Sequence, residues 1–158
     1  MLLQEVPTED HLTAGSIAIR LAFVLLLVLM NAFFVAAEFA LVAVRRSKID
    51  QMAAEGDKSA AIVQKALTHL DRYISATQLG ITLASLALGW IGEPALAILV
   101  DRLLEMVGVQ LAPGVVHSTA AIAVAFAIIT FLHIVLGELA PKSVAPNKST
   151  RAFVVRIA

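Results

Sequence analysis

Three long apolar runs separated by charged connections constrain this chain more than any other feature. The first, residues 21–37, is interrupted only by Asn31 and continues past Glu38 to Val44. The second covers 74–100 and meets Gly89, Gly92 and Pro94 before its end, and the third follows Pro113 and Gly114. A helix needs about 20 mainly apolar residues to cross a bilayer at 1.5 Å per residue, and lipid offers no partner to the amides of an open, irregular backbone. The composition agrees, with 59% of the 158 residues hydrophobic and 15% charged, against about 45–50% and 25% in soluble domains. The fold class expected is an all-α membrane protein, a single domain over 1–158 with three transmembrane helices at about 17–44, 75–92 and 115–138. A cleaved signal peptide does not fit, because the first ten residues hold Glu5, Glu9 and Asp10 and no basic residue.

Basic residues set the orientation, since cytoplasmic loops are enriched in Lys and Arg. Arg45, Arg46, Lys48, Lys58, Lys65 and Arg72 lie between the first two spans, and Lys142, Lys148, Arg151 and Arg156 follow the third, leaving only Arg20 and Arg102 for the other face. The N-terminus is therefore expected outside and the C-terminus in the cytoplasm, with the cell membrane as the location. Helical spacing of Ile49, Met52 and Ala53, then of Ile62, Val63, Ala66, Leu67 and Leu70, predicts a cytoplasmic helix pair over 46–72 with a break at Glu55, Gly56 and Asp57. Pro94 suits the first turn of an outer interfacial helix, with Leu96, Leu99, Val100 and Leu103 opposite Asp101, Arg102 and Glu105. Phe153, Val154 and Ile157 predict a C-terminal juxtamembrane helix over 146–158, which ends without a capping signal. A soluble regulatory region is expected beyond it.

Polar residues inside the spans carry the functional argument. Ser75, Gln78, Thr82, Ser85, Gly89 and Gly92 recur at intervals of three and four and share a face of the second span. Small and hydroxyl residues serve helix packing at about 0.6 kcal/mol per hydrogen bond, but packing alone does not call for Gln78. Asn31 and Glu38 lie two turns apart on the first span, and Thr130, His133 and Gly137 lead to Glu138 on the third. Glu38 and Glu138 fall near the inner boundary and Glu93 near the outer one. A carboxylate inside a span costs about 2.5–3.5 kcal/mol on the insertion scale and is a functional candidate. In a helix running through 137–142, Pro141 has no N–H for the Gly137 carbonyl four residues earlier. That carbonyl, the Glu138 carboxylate and oxygens of Glu38, Gln78 and Thr82 are the candidate ligands of a hard cation such as Mg2+, while Pro141, Pro94, Gly89, Gly92, Asn31 and His133 are structural or gating candidates. Gly89 and Gly92 are also spaced for close approach of helices in a homodimer.

Zero net charge and the absence of cysteine exclude a basic nucleic-acid surface, a disulfide framework and a thiol nucleophile. No HExxH, GxSxG or GxxxxGK[ST] motif occurs. No enzymatic activity is expected.

The segments NAFFVAAEFALVAVRRSKID, SATQLGITLASLALGWIGEP and HIVLGELAPKSVA resemble the membrane module of the CorC/CNNM family, the hemolysin C-like membrane proteins, over about residues 17–158. The resemblance implies a homodimer that exports Mg2+, coupled to Na+ uptake, with a largely dehydrated ion between the spans and soluble regulatory domains beyond this chain. Gly137, Glu138, Pro141 and Lys142 match the family's GE and PK positions. Val35, Ala36 and Ala37 stand where many members have a hydroxyl residue, and Ile81 where they have Asn, so side-chain oxygens are missing here.

The reading that results is a Mg2+ transporter module working by alternating access. The rival is a membrane anchor and dimerisation platform for a regulatory domain, in which the polar seam only packs. A channel fits less well, since one polar stripe per subunit makes no wide pore.

Overall fold

The computed structural model describes residues 14–108 and 119–144. The juxtamembrane helix expected over 146–158, the outer end of the third span at 115–118 and the N-terminal segment lie outside the described residues. Among the described residues there is no strand. Three helical stretches, Gly15–Ala43, Leu70–Met106 and Thr119–Val144, are long and apolar enough to cross a membrane. The first is one helix, α1 (Ala14–Ala43).

A short helical hairpin connects the first two stretches, formed by α2 (Arg46–Ala54) and α3 (Lys58–Thr68). It turns where the sequence breaks. Gly56 adopts φ +91, a conformation that favours glycine. Its N–H donates to the Ala53 carbonyl while that of Asp57 donates to Met52, which closes the end of α2 in a Schellman arrangement. The Asp57 carboxylate then accepts from the N–H groups of Ser59 and Ala60, capping α3. Ile49, Ala60 and Val63 form a small core between the two helices, covered by Val44, Met52, Ala53 and Leu67.

The second stretch departs from expectation. Gly89, Gly92 and Pro94, which would end a span near residue 92, do not break the helix: α4 (Leu70–Ala87) runs through a π-helical segment, Leu88–Gly92, directly into α5 (Glu93–Met106). The third stretch repeats the device: α6 (Thr119–Leu132), a π-helical segment His133–Leu139, then α7 (Ala140–Val144). Each π segment ends two residues before a proline, Pro94 or Pro141. A proline ring clashes with the carbonyl four residues back and leaves it without a donor, and a widened π turn relieves that crowding without ending the helix.

The helix expected to begin at Pro94 is present, but it is not laid apart from the spans. Ala95, Leu96 and Ala97 join Val24 and Val28 of α1, Leu88, and Ala125 and Ile129 of α6 in the main core. Alanines at the crossing let α5 and α6 approach closely. Asp101, assigned to the wet side, is buried instead, with 6% exposure. Leu103, Met106 and Val107 remain exposed.

Candidate functional site

Asn31, in the middle of α1, is fully buried, so its amide must find partners within the protein. Its Nδ2 donates to the Gly137 carbonyl at 3.1 Å. A carbonyl only accepts, so the nitrogen has to face Gly137 and Oδ1 has to face away from it, toward the Ser85 hydroxyl of α4 at 3.3 Å. An amide oxygen also only accepts, so Ser85 donates to it. Ser85 Oγ then has a lone pair for His133 Nε2, 3.1 Å away, and that nitrogen carries the proton in this arrangement. The same His133 Nε2 lies 3.6 Å from Glu138 Oε1. Lys142 Nζ holds the other carboxylate oxygen, Oε2, at 3.3 Å and sits 5.5 Å from the centroid of the Phe39 ring.

The site thus draws Asn31 from the first membrane-crossing stretch, Ser85 from the second and His133 from the third, which also supplies the half-exposed Glu138 carboxylate in which it ends. The π turn of His133–Leu139 includes His133, Gly137 and Glu138. Gly137 must be glycine there, because a Cβ would lie 2.8 Å from Asn31 Nδ2 and 3.1 Å from His133 Cδ2. The Gly137 carbonyl that Pro141 deprives of its α-helical donor is taken up by Asn31. Of the candidate ligands, Gly137 and Glu138 lie in this network.

The other candidates lie apart from it. Gln78 is exposed, and the exposed Thr82 turns its hydroxyl back to the Gln78 carbonyl, 2.9 Å away. Glu38 is half-buried and, among the described residues, makes no hydrogen bond or ion pair with the network. The seam read on the second span is divided. Ser75, Gln78, Thr82 and Gly89 face outward, Ser85 turns in, and Gly92 is buried. Gly92 packs within the chain, where a Cβ would meet Ile129 Cδ1 at 3.0 Å, whereas one at Gly89 would meet nothing within 4 Å. Only Gly89 of the pair is open to a second copy. Among the described residues no three His, Asp or Glu side chains gather as a metal cluster, so any cation site here needs neutral oxygen ligands.

Sequence reasoning missed the link through Ser85 and placed Asn31 among the structural or gating residues. A usable signal was present: an amide in the middle of an apolar span has to be satisfied by another span, and Ser85 and His133 are polar residues in the other two.

Residues 21–157 match the model of a family described as the cyclin M (CNNM) transmembrane N-terminal domain. The chain is similar to the UPF0053 protein YhdT of Bacillus subtilis, 52% identical over 123 residues that cover 78% of this chain and 26% of that protein. Similarity to the UPF0053 protein YhdP of the same organism is 50% over 132 residues, 83% of this chain and 29% of the relative. The uncharacterized protein Rv1841c of Mycobacterium tuberculosis is 39% identical over 121 residues, 77% and 33% of the two chains. The chain spans about a quarter to a third of the length of these relatives.

Proposed function

The chain belongs to the CNNM family of transmembrane domains and is a multi-pass membrane protein, and from that premise we propose that it is the membrane module of a Mg2+ transporter. It exports Mg2+ by alternating access, coupled to Na+ uptake, with the N-terminus outside and the C-terminus in the cytoplasm of a cell-membrane protein. The observation that carries this reading is Glu138: a carboxylate in a crossing stretch, within 3.6 Å of an imidazole and next to a carbonyl that takes its donor from another span. Carboxylates at such depth are rare outside ion pathways, and perturbed helices at membrane depth are a recurring way of binding ions.

The module acts as a homodimer. Gln78 and Thr82 are exposed on α4 together with Leu79, Leu83 and Leu86, and a side-chain amide at this depth is better placed against a second copy than against lipid.

Proteoliposomes loaded with Mg2+ and an indicator test the transport reading. An inward Na+ gradient should drive Mg2+ efflux, and Glu138→Gln should abolish it. The anchor reading has one observation in its favour: Asn31 satisfies the Gly137 carbonyl and Lys142 satisfies Glu138, so the network closes without an ion. Equal flux in protein-free and protein-containing vesicles would decide for the anchor.

A further inference from the structure

We infer that the basic side of the α2–α3 hairpin is a docking surface for the headgroups of anionic phospholipids, in the leaflet where α1 ends and α4 begins. Such a surface requires neither transport nor a particular orientation of the chain in the membrane.

The bases of this connection are not neutralised from within. Arg45, Arg46, Lys48, Lys58, Lys65 and Arg72 are all exposed, and among the described residues their side chains make no hydrogen bond or ion pair. The acids beside them are occupied by neutral donors. The Asp50 carboxylate accepts from Gln64 Nε2 at 2.8 Å and that of Glu55 from Gln51 Nε2 at 2.9 Å, while Asp57 caps α3. Asp71 sits in the first turn of α4, where the helix dipole favours a negative charge. Six bases against four acids leave residues 45–72 with two positive charges in excess. A cationic surface that its own acids do not neutralise draws anions from outside the chain.

Position decides which anion. Val44, the residue after α1, packs against the small core of Ile49, Ala60 and Val63, so the hairpin is seated on the end of the first span. At its other end only His69 separates α3 from α4. A helix is about 10–12 Å across, and charges are felt over about 10 Å in 0.1 M salt, which puts the hairpin's bases within electrostatic reach of the lipid phosphates. Arg45 and Arg46 come directly after Val44, and Arg72 opens the second crossing stretch.

α3 supplies an apolar element as well. With Ala60, Val63 and Ala66 turned inward, Lys58, Ile62, Lys65 and His69 recur at intervals of four, three and four on the other side. All four are exposed, Ile62 at 52%. One exposed isoleucine is ordinary on a soluble surface. Here a lysine stands one turn to each side of it, an arrangement in which the apolar side chain enters the interface while lysine stems lie alongside and their ammonium groups reach the phosphates. Phosphates alone account for the bases; the edge of a lipid layer accounts for Ile62 too.

Ile62→Cys, in a chain that has no other cysteine, carries an apolar, environment-sensitive fluorophore in place of the isoleucine. The protein is placed in nanodiscs of phosphatidylcholine alone, or of phosphatidylcholine and phosphatidylglycerol in equal parts. In the anionic nanodiscs the emission should move to the blue, a lipid spin-labelled near its headgroup should quench it, and acrylamide should lose access. A base near an anionic surface shifts such an equilibrium about fivefold, about 1 kcal/mol, so Lys58→Gln with Lys65→Gln should weaken docking about thirtyfold, about 2 kcal/mol. Raising salt from about 0.1 to about 1 M shortens screening from about 10 to about 3 Å and should release the probe without either substitution. Equal shielding in both lipids means that a second copy or another part of the chain covers Ile62, and overturns the proposal. Equal access of acrylamide in both does so as well, and a lipid response that survives both the double substitution and high salt shows that these bases do not hold the headgroups.

Discussion

Replacing Gly137 by alanine tests whether the polar network is a fixed part of the fold. The added Cβ would lie 2.8 Å from Asn31 Nδ2 and 3.1 Å from His133 Cδ2, where carbon atoms normally rest about 3.5–4.0 Å apart. Asn31 must withdraw by most of an ångström, and its 3.1 Å hydrogen bond to the Gly137 carbonyl is lost. No water replaces it, since Asn31 is fully buried. An unsatisfied buried group costs about 1–3 kcal/mol and overpacking about another 1–3 kcal/mol, while alanine returns about 1 kcal/mol of helix propensity. The net loss is about 3 kcal/mol on these terms. Thermal unfolding in mild detergent should show a fall of several degrees for Gly137→Ala, whereas Gly89→Ala, whose Cβ meets nothing within 4 Å, should show no fall and, by the same helix propensity, a small rise. In an Asn31→Ala background most of the Gly137→Ala penalty should disappear, because the clashing amide is gone. Equal penalties in both backgrounds, or a Gly137→Ala protein as stable as the parent, would refute the reasoning.

Glu138→Gln keeps the volume and one oxygen but removes the charge, so Mg2+ affinity by titration should drop at least about tenfold, or about 1.4 kcal/mol; parental affinity would place the site elsewhere. Asp57→Ala removes the cap on Ser59 and Ala60, worth about 1 kcal/mol, and amide exchange in α3 should quicken about fivefold; unchanged protection would deny the cap its role. Cysteines introduced singly at Thr8, Asp57 and Ser149 should react with an impermeant reagent on intact cells only at Thr8, and labelling of Asp57→Cys would reverse the orientation. The mass in nanodiscs should be that of a dimer, and a monomer would remove the partner expected over Gln78.

Much of the fold was legible because solvent dictates it. The first span, expected at 17–44, is α1 at Ala14–Ala43, and the hairpin turns at the three residues singled out, Glu55, Gly56 and Asp57. Proline and glycine were less reliable guides inside lipid. In water they end helices, since a freed carbonyl can turn to solvent. Here Gly89, Gly92, Pro94 and Pro141 lie in or just after π turns, because no solvent awaits a broken helix and the backbone keeps its partners by changing register. Asp101 was misplaced for a related reason: the spacing on α5 was read as one dry and one wet face, whereas α5 packs against both α1 and α6.

The seam on the second span shows where a periodic pattern stops being informative. Intervals of three and four keep Ser75, Gln78, Thr82, Ser85 and Gly89 on one side of a helix, and a sequence cannot say which neighbour that side meets. The buried face of α4 passes instead through Ala84 and on to Leu88, with Gly80 against the Phe34 ring. Ser85 lies at the margin between the two faces, which is why it alone of the seam's side chains reaches Asn31 and His133. Hydrogen-bond polarity then supplies what periodicity lacks. A carbonyl without its α-helical donor at Gly137 calls for a donor from another span, an amide can donate to it while accepting from a hydroxyl, and Asn31 is the one amide buried in α1. The pairing of Asn31 with Gly137 follows from chemical complementarity across a separation of 106 residues, and it fixes the direction in which every other group of the network must point.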